Sequence, residues 1–128
     1  MDSVRQFVSE AVDRSLALTD GTAVIDAGSG RYVQWLASAE RIYSVEAGVP
    51  TPRTSRSLRQ RLRGQQPDPL LVDTQIAALV GAGFTAGRSN YELRDAVYVR
   101  DQAVEVVVSV LRDAFAIGDA ATLSVEIF

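Results

Sequence analysis

The residues of this sequence best suited to chemistry are two acids around a glycine-rich stretch. Asp26 is followed by Gly28 and Gly30, and Glu46 comes later in the same region. Glycines after a strand let the backbone approach a phosphate or cofactor, and an acid about 20 residues further on can bind ribose hydroxyls. A helix after Gly30 would make the stretch the opening of a nucleotide-binding fold, whereas a strand there would make it a hairpin.

The letters VIDAGSG resemble the first motif of S-adenosylmethionine-dependent methyltransferases. That resemblance implies cofactor contacts from Asp26, Gly28, Gly30 and Glu46. Two features oppose it: Tyr32 occupies the third glycine position, and the short remainder of the chain after Glu46 shows no repeated strand–helix units. We therefore favour the hairpin and expect no cofactor. A reduced methyltransferase-type domain that uses the DAGSG loop remains an alternative.

Three reactive residue types are missing from the chain, which contains no Cys, no His and no Lys. Without Cys there are no thiolate nucleophiles and no Cys-type zinc sites. Without His the usual general base and the Ser-His-Asp arrangement are absent, and without Lys there is no Schiff base and no Walker lysine. We therefore expect a protein that is not an enzyme and has no metal site.

A cluster of arginines marks a proline-rich loop predicted at residues 50–69. Between residues 51 and 66 there are five Arg and no acid, a local charge of +5, against −8 in the rest of the chain. The cluster consists of Arg53, Arg56, Arg59, Arg61 and Arg63. It would contact nucleic-acid phosphates, bind an acidic partner segment, or form a solvated loop. Because the whole chain is acidic and has no nucleic-acid motif, nucleic-acid binding is only a second alternative.

The N-terminal residues 3–18 predict an amphipathic helix. Its apolar residues share one face, namely Val4, Phe7, Val8, Ala11 and Val12. Ser3 and Gln6 have the spacing of a capping box, and Gly21 is a plausible stop.

Three strands are predicted next, at residues 22–27, 32–37 and 41–49, with Ser38 to Glu40 as a connector of hairpin length. Alternation places Val33, Trp35 and Ala37 on one face of the second strand, with Tyr32, Gln34 and Leu36 on the other. In the third strand it places Tyr43, Val45 and Ala47 opposite Ile42, Ser44 and Glu46.

The second half begins with a short helix capped by Asp73, with Ile76, Leu79 and Val80 as its apolar stripe and Gly81 and Gly83 at its end. Phe84 packs back onto that end. Residues 89–100 indicate one or two short strands, and a long helix follows from Asp101 to about Phe115, although its valines leave a strand open for part of it. The buried stripe of that helix is Val104, Val107, Val108, Leu111 and Phe115. The tail, ATLSVEIF, predicts a final strand.

Grouped strands favour an α+β fold over α/β, in a single domain that spans residues 1–128. The predicted order is an N-terminal helix, an antiparallel three-stranded meander, a short helix, short strands, a long C-terminal helix and a final strand. No apolar run is long enough to span a bilayer, and the N-terminus lacks a signal pattern, so we expect a cytoplasmic protein with no membrane contact.

Several segments resemble the TY-Chap domains, relatives of the type III secretion chaperones and of YbjN that are widespread in actinobacteria. The matching segments are YVQW at residues 32–35, LVGAGF at 79–84, Asn90 with Tyr91, and the helix that ends in VLRDAF. The resemblance implies a non-enzymatic, chaperone-like module that binds a client peptide or protein and forms a homodimer. The candidate contacts are Tyr32, Gln34, Trp35, Tyr43 and the five arginines, although core positions are favoured for Trp35 and Tyr43.

Overall fold

A computed structural model of the chain describes residues 2–28, 30–49, 69–87, 90–93 and 97–128. These residues form three α-helices and seven strands, and the α+β prediction is confirmed. In chain order the elements are α1 (Ser3–Leu16), β1 (Asp20–Gly28), β2 (Arg31–Ser38), β3 (Arg41–Gly48), α2 (Pro69–Gly81), β4 (Thr85–Ala86), β5 (Tyr91–Glu92), β6 (Val97–Tyr98), α3 (Arg100–Ser109) and β7 (Ser124–Ile127). A π-helical segment, Val110–Ala114, continues α3, and a 3₁₀ turn, Ala120–Thr122, precedes β7.

The predicted meander is the centre of one antiparallel sheet. Its strand order is β4-β5-β3-β2-β1-β7, and β6 also pairs with β3. The C-terminal strand β7 lies beside β1, with Ile25 opposite Val125. The methyltransferase alternative needs a helix after Gly30, but Arg31–Ser38 is a strand, so that helix prediction is wrong. The hairpin prediction for the same residues is confirmed.

The β2–β3 connection is a two-residue turn at Ala39 and Glu40, with φ values of 51° and 63°. Two successive positive φ angles give a type I′ turn, whose twist matches that of the flanking strands. Further along β3, Ser44 has φ of 52° and the β2–β3 register shifts between Gln34 and Leu36. This bulge reverses the side-chain alternation of β3.

Because of the bulge, one sequence prediction for β3 is wrong. Ile42, Val45 and Ala47 are the buried residues, whereas Tyr43 lies on the opposite face and is half-buried. In β2 the alternation is regular, and Val33, Trp35 and Ala37 are all buried as predicted.

Helices α1 and α3 pack against one face of the sheet. Val4, Val8, Ala11 and Val12 of α1 are buried, and Phe7 packs against the core from its edge. The predicted stripe of the long helix is also buried, from Val104 through Leu111 to Phe115. The core therefore lies between these two helices and the inward face of β1, β2 and β3.

The caps of α1 differ from the prediction. Asp2 is the N-cap, and its Oδ1 accepts from the backbone N–H of Arg5 at 3.1 Å. The Ser3 hydroxyl instead accepts from the N–H of Ala120 at 3.2 Å. Gly21 is not the stop, because α1 ends at Leu16 and Gly21 belongs to β1. A Cβ at Gly21 would lie 2.5 Å from the carbonyl oxygen of Ser15, so a glycine lets β1 pass close to the helix end.

Helix α2 starts at Pro69, so Asp73 lies inside the helix and the prediction that it caps the helix is wrong. The loop predicted at residues 50–69 is also one residue too long, because Pro69 belongs to the helix. The rest of that loop lies outside the described residues. Val80 of the predicted stripe is 55% exposed, while Leu79 is buried together with Gln75. The helix ends in a Schellman motif, since Gly83 (φ 101°) donates to Val80 O and Phe84 N–H donates to Leu79 O at 3.0 Å. Phe84 is buried there, as predicted.

Helix α3 begins one residue before the predicted cap Asp101, and Val99 is its N-cap. Val99 has no side-chain acceptor, but its N–H donates to Gln102 Oε1 at 3.2 Å. At the other end Arg31 holds the π-helical segment to the β1–β2 hairpin. Its guanidinium donates to Phe115 O at 2.9 Å and to Ala27 O at 3.1 Å.

Ion pairs join α1 and α3 at both ends. Arg100 binds Asp13 through two hydrogen bonds of 2.7 and 3.1 Å, and its side chain lowers the pKa of Asp13. At the opposite end Arg5 binds Glu105 and lowers its pKa. The pKa of Asp2 is lowered by the Arg5 backbone N–H and then by the Arg112 side chain.

Candidate functional site

The outward face of the sheet, on the side opposite α1 and α3, carries an apolar row that crosses five strand positions. Thr22 is opposite Leu36, Leu36 is opposite Tyr43, and Tyr43 is opposite Val97. Phe128 exchanges backbone hydrogen bonds with Thr22 at 2.8 and 3.0 Å and so extends the row beyond β1. Val97 is 62% exposed and Phe128 is 66% exposed. We call Phe128, Thr22, Leu36, Tyr43 and Val97 the apolar row.

A second row of the same face is acidic and runs parallel to the first. Its members are Glu126, Val24, Gln34, Glu46 and Glu92, each opposite the next across neighbouring strands. Glu126 is exposed, and Glu46 and Glu92 are half-buried. Glu46 and Glu92 face each other directly across β3 and β5. We call this set the acidic row.

A hydrogen-bond network fixes the middle of the acidic row. Glu46 Oε2 accepts from Gln34 Nε2 and from Asn90 Nδ2, the latter at 3.2 Å. The same Asn90 nitrogen donates to the Tyr32 hydroxyl at 3.2 Å. These bonds join β2, β3 and the residue before β5, so the side chains of Tyr32 and Gln34 are held in place from several strands.

Tyr32 is further positioned by Gly48, its partner across β2 and β3. A Cβ on Gly48 would overlap the Tyr32 ring, so the ring lies flat over the glycine. An open depression of about 400 Å³ adjoins this ring. Its wall is formed by Val24, Asp26, Arg31 and Gln34 and by the glycines of the β1–β2 turn.

The glycine motif itself forms that turn. Gly28 and Gly30 have φ of 83° and 80°, a conformation that glycine adopts without strain. Asp26 Oδ1 accepts from the Gly28 N–H at 2.7 Å, which is the use of Asp in a turn rather than in a cofactor site.

The structure divides the residues predicted to bind a partner into three groups. Tyr32, Gln34 and Tyr43 lie on the outward face and belong to the two rows or adjoin them. Trp35 is 1% exposed and its Nε1 donates to Ser15 Oγ at 3.0 Å, so the favoured core position is confirmed and the prediction that it contacts a partner is wrong. It therefore belongs to the core. Arg53, Arg56, Arg59, Arg61 and Arg63 lie outside the described residues.

Several residues of this face escaped sequence analysis. Asn90, Glu92 and Val97 join it through short strands that pair with β3, and Glu126 joins through β7. Alternation within each strand identifies a face, but it does not identify which distant strand continues that face. Only the pairing of strands that lie far apart in the chain brings these side chains together.

Comparisons of the chain with protein-family models, with curated proteins and with solved structures found no match in any of the three. The TY-Chap resemblance therefore stays a prediction. Within the described ranges no helix is long and apolar enough to cross a membrane. The same residues contain no group of three or more acidic side chains arranged to hold a metal ion.

Proposed function

We propose that this chain is a non-enzymatic module that binds a peptide or a partner protein on the outward face of its sheet. The observation that carries the proposal is the apolar row, in which Leu36, Tyr43 and Val97 align across β2, β3 and β6. Half-buried aromatic and aliphatic groups that line up on an exposed face are typical of protein contacts. The TY-Chap resemblance leads independently to the same class of function, a cytoplasmic chaperone-like protein.

The network around Tyr32 supports the same proposal. A binding surface gains affinity when its side chains are ordered before the partner arrives, because less conformational entropy is lost on binding. Asn90 and Glu46 hold Tyr32 and Gln34 in this way, next to the apolar row. The face therefore offers fixed polar groups beside an apolar stripe.

The experiment is a selection of random peptides of about 15 residues, displayed on phage, against the immobilised chain. We expect enriched peptides that bind the wild type and lose at least about tenfold in affinity to a Leu36→Ser, Tyr43→Ser variant. The matched control is Leu18→Ser with Val80→Ser, because these two exposed apolar residues lie away from the outward face. Failure to enrich any peptide, or equal loss in both variants, would contradict the proposal.

The resemblance also implies a homodimer, and β7 offers a surface for it. In the described part of the sheet β7 is an edge strand, paired on one side with β1. Edge strands bind a second strand through backbone hydrogen bonds. Sedimentation velocity over a range of protein concentrations tests this proposal, and a monomer at the highest concentration would contradict it.

Two alternatives keep their own tests. Isothermal titration with S-adenosylmethionine would support the methyltransferase-type alternative if it showed tight binding, although the helix required after Gly30 is a strand. A gel shift with DNA or RNA that is lost on replacing the five arginines by glutamine would support nucleic-acid binding. We expect neither result.

A further inference from the structure

We infer that the partner of the outward face is a cationic amphipathic segment, with one apolar side and a flank of Lys or Arg. This inference rests on the proposed function and adds the chemical class of the partner. It follows from the charge of the face, from the spacing of its two rows and from the composition of the opposite side of the molecule.

The outward face is strongly acidic. Among the described residues its charged side chains are the acids Asp20, Asp26, Glu46, Glu92 and Glu126 and two bases, Arg41 and, at the border of the face, Arg31. Arg41 stands at the start of β3, opposite Ser38, at one end of the face. With Arg31 counted, the described part of the face carries five acids and two bases, a net charge of −3.

The side of the molecule covered by α1 and α3 differs from the outward face in its charges, because it carries paired charges of both signs. There three arginines are paired to acids: Arg5 to Glu105, Arg100 to Asp13 and Arg112 to Asp2. On the outward face the described cations are Arg41 and Arg31, and the Arg31 guanidinium is already bound to the carbonyls of Ala27 and Phe115. Charge complementarity selects a partner of opposite sign and disfavours others by several kcal/mol when like charges meet.

The two rows have the dimensions of one helix. Five strand positions about 4.8 Å apart give each row a length of about 19 Å, which equals about 13 residues of α-helix. The rows are two residues apart along β1 and β2, or about 7 Å, so a helix about 10 Å wide that lies on the apolar row also reaches the acidic row. Its basic residues would then lie over Glu46, Glu92 and Glu126, where hydrogen bonds to ionised carboxylates are strong.

The same charges argue against a second copy and against nucleic acid at this face. Two copies stacked face to face would bring their acids together, with only Arg31 and Arg41 of each copy among the described residues to offset them. A nucleic acid would place its phosphates against the same acids.

The test uses the peptides enriched in the selection described above, on the full chain. We expect them to carry net positive charge together with spaced apolar residues. For one such peptide, fluorescence anisotropy should show affinity falling at least about tenfold between about 50 and 300 mM NaCl. The variant E46Q/E92Q/E126Q should bind at least about tenfold more weakly at low salt and lose most of the salt dependence.

The matched control is E10Q/D73N/D113N, which removes three acids from the helices and leaves the outward face intact. We expect it to bind like the wild type, and a thermal melt of both variants checks that they fold.

Enriched peptides that are neutral or acidic, or an equal loss of peptide affinity in both variants, would overturn the inference while the proposed function stands. Enrichment of no peptide would defeat the proposed function itself. If the variant R53Q/R56Q/R59Q/R61Q/R63Q bound the peptide more tightly than the wild type, the chain's own arginines would be the groups that occupy the outward face. That result would also overturn the inference.

Discussion

The indole Nε1 of Trp35 donates a hydrogen bond of 3.0 Å to the hydroxyl of Ser15, and that hydroxyl donates to the carbonyl of Val12 at 2.8 Å. Both side chains are buried, with Ser15 at 0% and Trp35 at 1% exposure. A buried indole N–H needs an acceptor, and α1 supplies it at the helix end beside β1. The pair therefore fixes the last turn of α1 against β2.

Replacing Ser15 by Ala should destabilise the fold by about 1–3 kcal/mol, because the indole N–H loses its acceptor in the core. Trp35→Phe should also destabilise it, through lost volume. The double variant should cost less than the sum of the two, since neither unpaired group remains. Urea denaturation of the four proteins gives the coupling free energy. Simple additivity would show that the hydrogen bond is not the source of the effect.

The burial of Trp35 was accessible from sequence, and that of Ile42 was not. Strict alternation in β2 predicts Val33, Trp35 and Ala37 on one face, and all three are buried. In β3 the bulge at Ser44 breaks alternation, and a serine with φ of 52° gives no signal in its residue type. Alternation extended back from Val45 across the bulge therefore predicts the wrong face for Ile42.

The candidate site was predictable only in its central strand. Tyr32 and Gln34 were placed on one face by alternation, and the structure keeps them there. Glu92, Val97 and Glu126 reach the same face through pairings with β3 and β1, which depend on the whole chain. Gly21 shows a related difficulty, because glycine is equally suited to ending a helix and to letting a strand pass close to one.

The β2–β3 turn should be improved by a single substitution. Glu40 is exposed and has φ of 63°, a conformation that costs a residue with a Cβ about 1 kcal/mol relative to glycine. We expect Glu40→Gly to raise the free energy of unfolding by about 0.5–1 kcal/mol. Thermal and urea denaturation measure it.

Glu10→Gly is the control for that experiment, since it makes the same chemical change at an exposed position inside α1. A glycine inside a helix lowers stability by about 1 kcal/mol relative to alanine. Glu40→Gly should therefore raise the free energy of unfolding, and Glu10→Gly should lower it. A loss of stability from both would show that the turn does not prefer glycine.

The contact between Tyr32 and Gly48 predicts an interaction between two substitutions. Gly48→Ala should destabilise the protein by about 1–3 kcal/mol, because the new Cβ would overlap the Tyr32 ring and displace its hydroxyl from Asn90. In a Tyr32→Ala background the same change should cost less than about 0.5 kcal/mol. Gly118→Ala serves as the control, since no atom lies within 4 Å of a Cβ placed there. If Gly48→Ala destabilised the Tyr32→Ala variant as much as the wild type, the need for glycine would come from the backbone at residue 48 and not from the Tyr32 ring.

The ion pairs between α1 and α3 predict how stability depends on pH. The folded-state pKa of Asp2 is lowered by the backbone N–H of Arg5 and then by the Arg112 side chain, and the pKa values of Asp13 and Glu105 are lowered by the side chains of Arg100 and Arg5, from ordinary values of 3.8 for Asp and 4.5 for Glu. The contribution of these three acids to the free energy of unfolding is therefore fully present at pH values above their ordinary pKa values. It is lost as the pH falls through their lowered, folded-state pKa values. The urea midpoint of the wild type should decline below about pH 4.5 more steeply than that of D2N/D13N/E105Q, in which Asn can still cap α1.

Salt provides the control for the pH experiment. All three acids are solvent-accessible in their pairs, so about 1 M NaCl should screen the attraction to the Arg side chains and bring the two pH profiles closer together. The decline in stability at low pH that both proteins share comes from carboxylates elsewhere in the chain. If the wild type and the variant declined in parallel at low salt, the pairs between α1 and α3 would contribute nothing measurable, and packing alone would join the two helices.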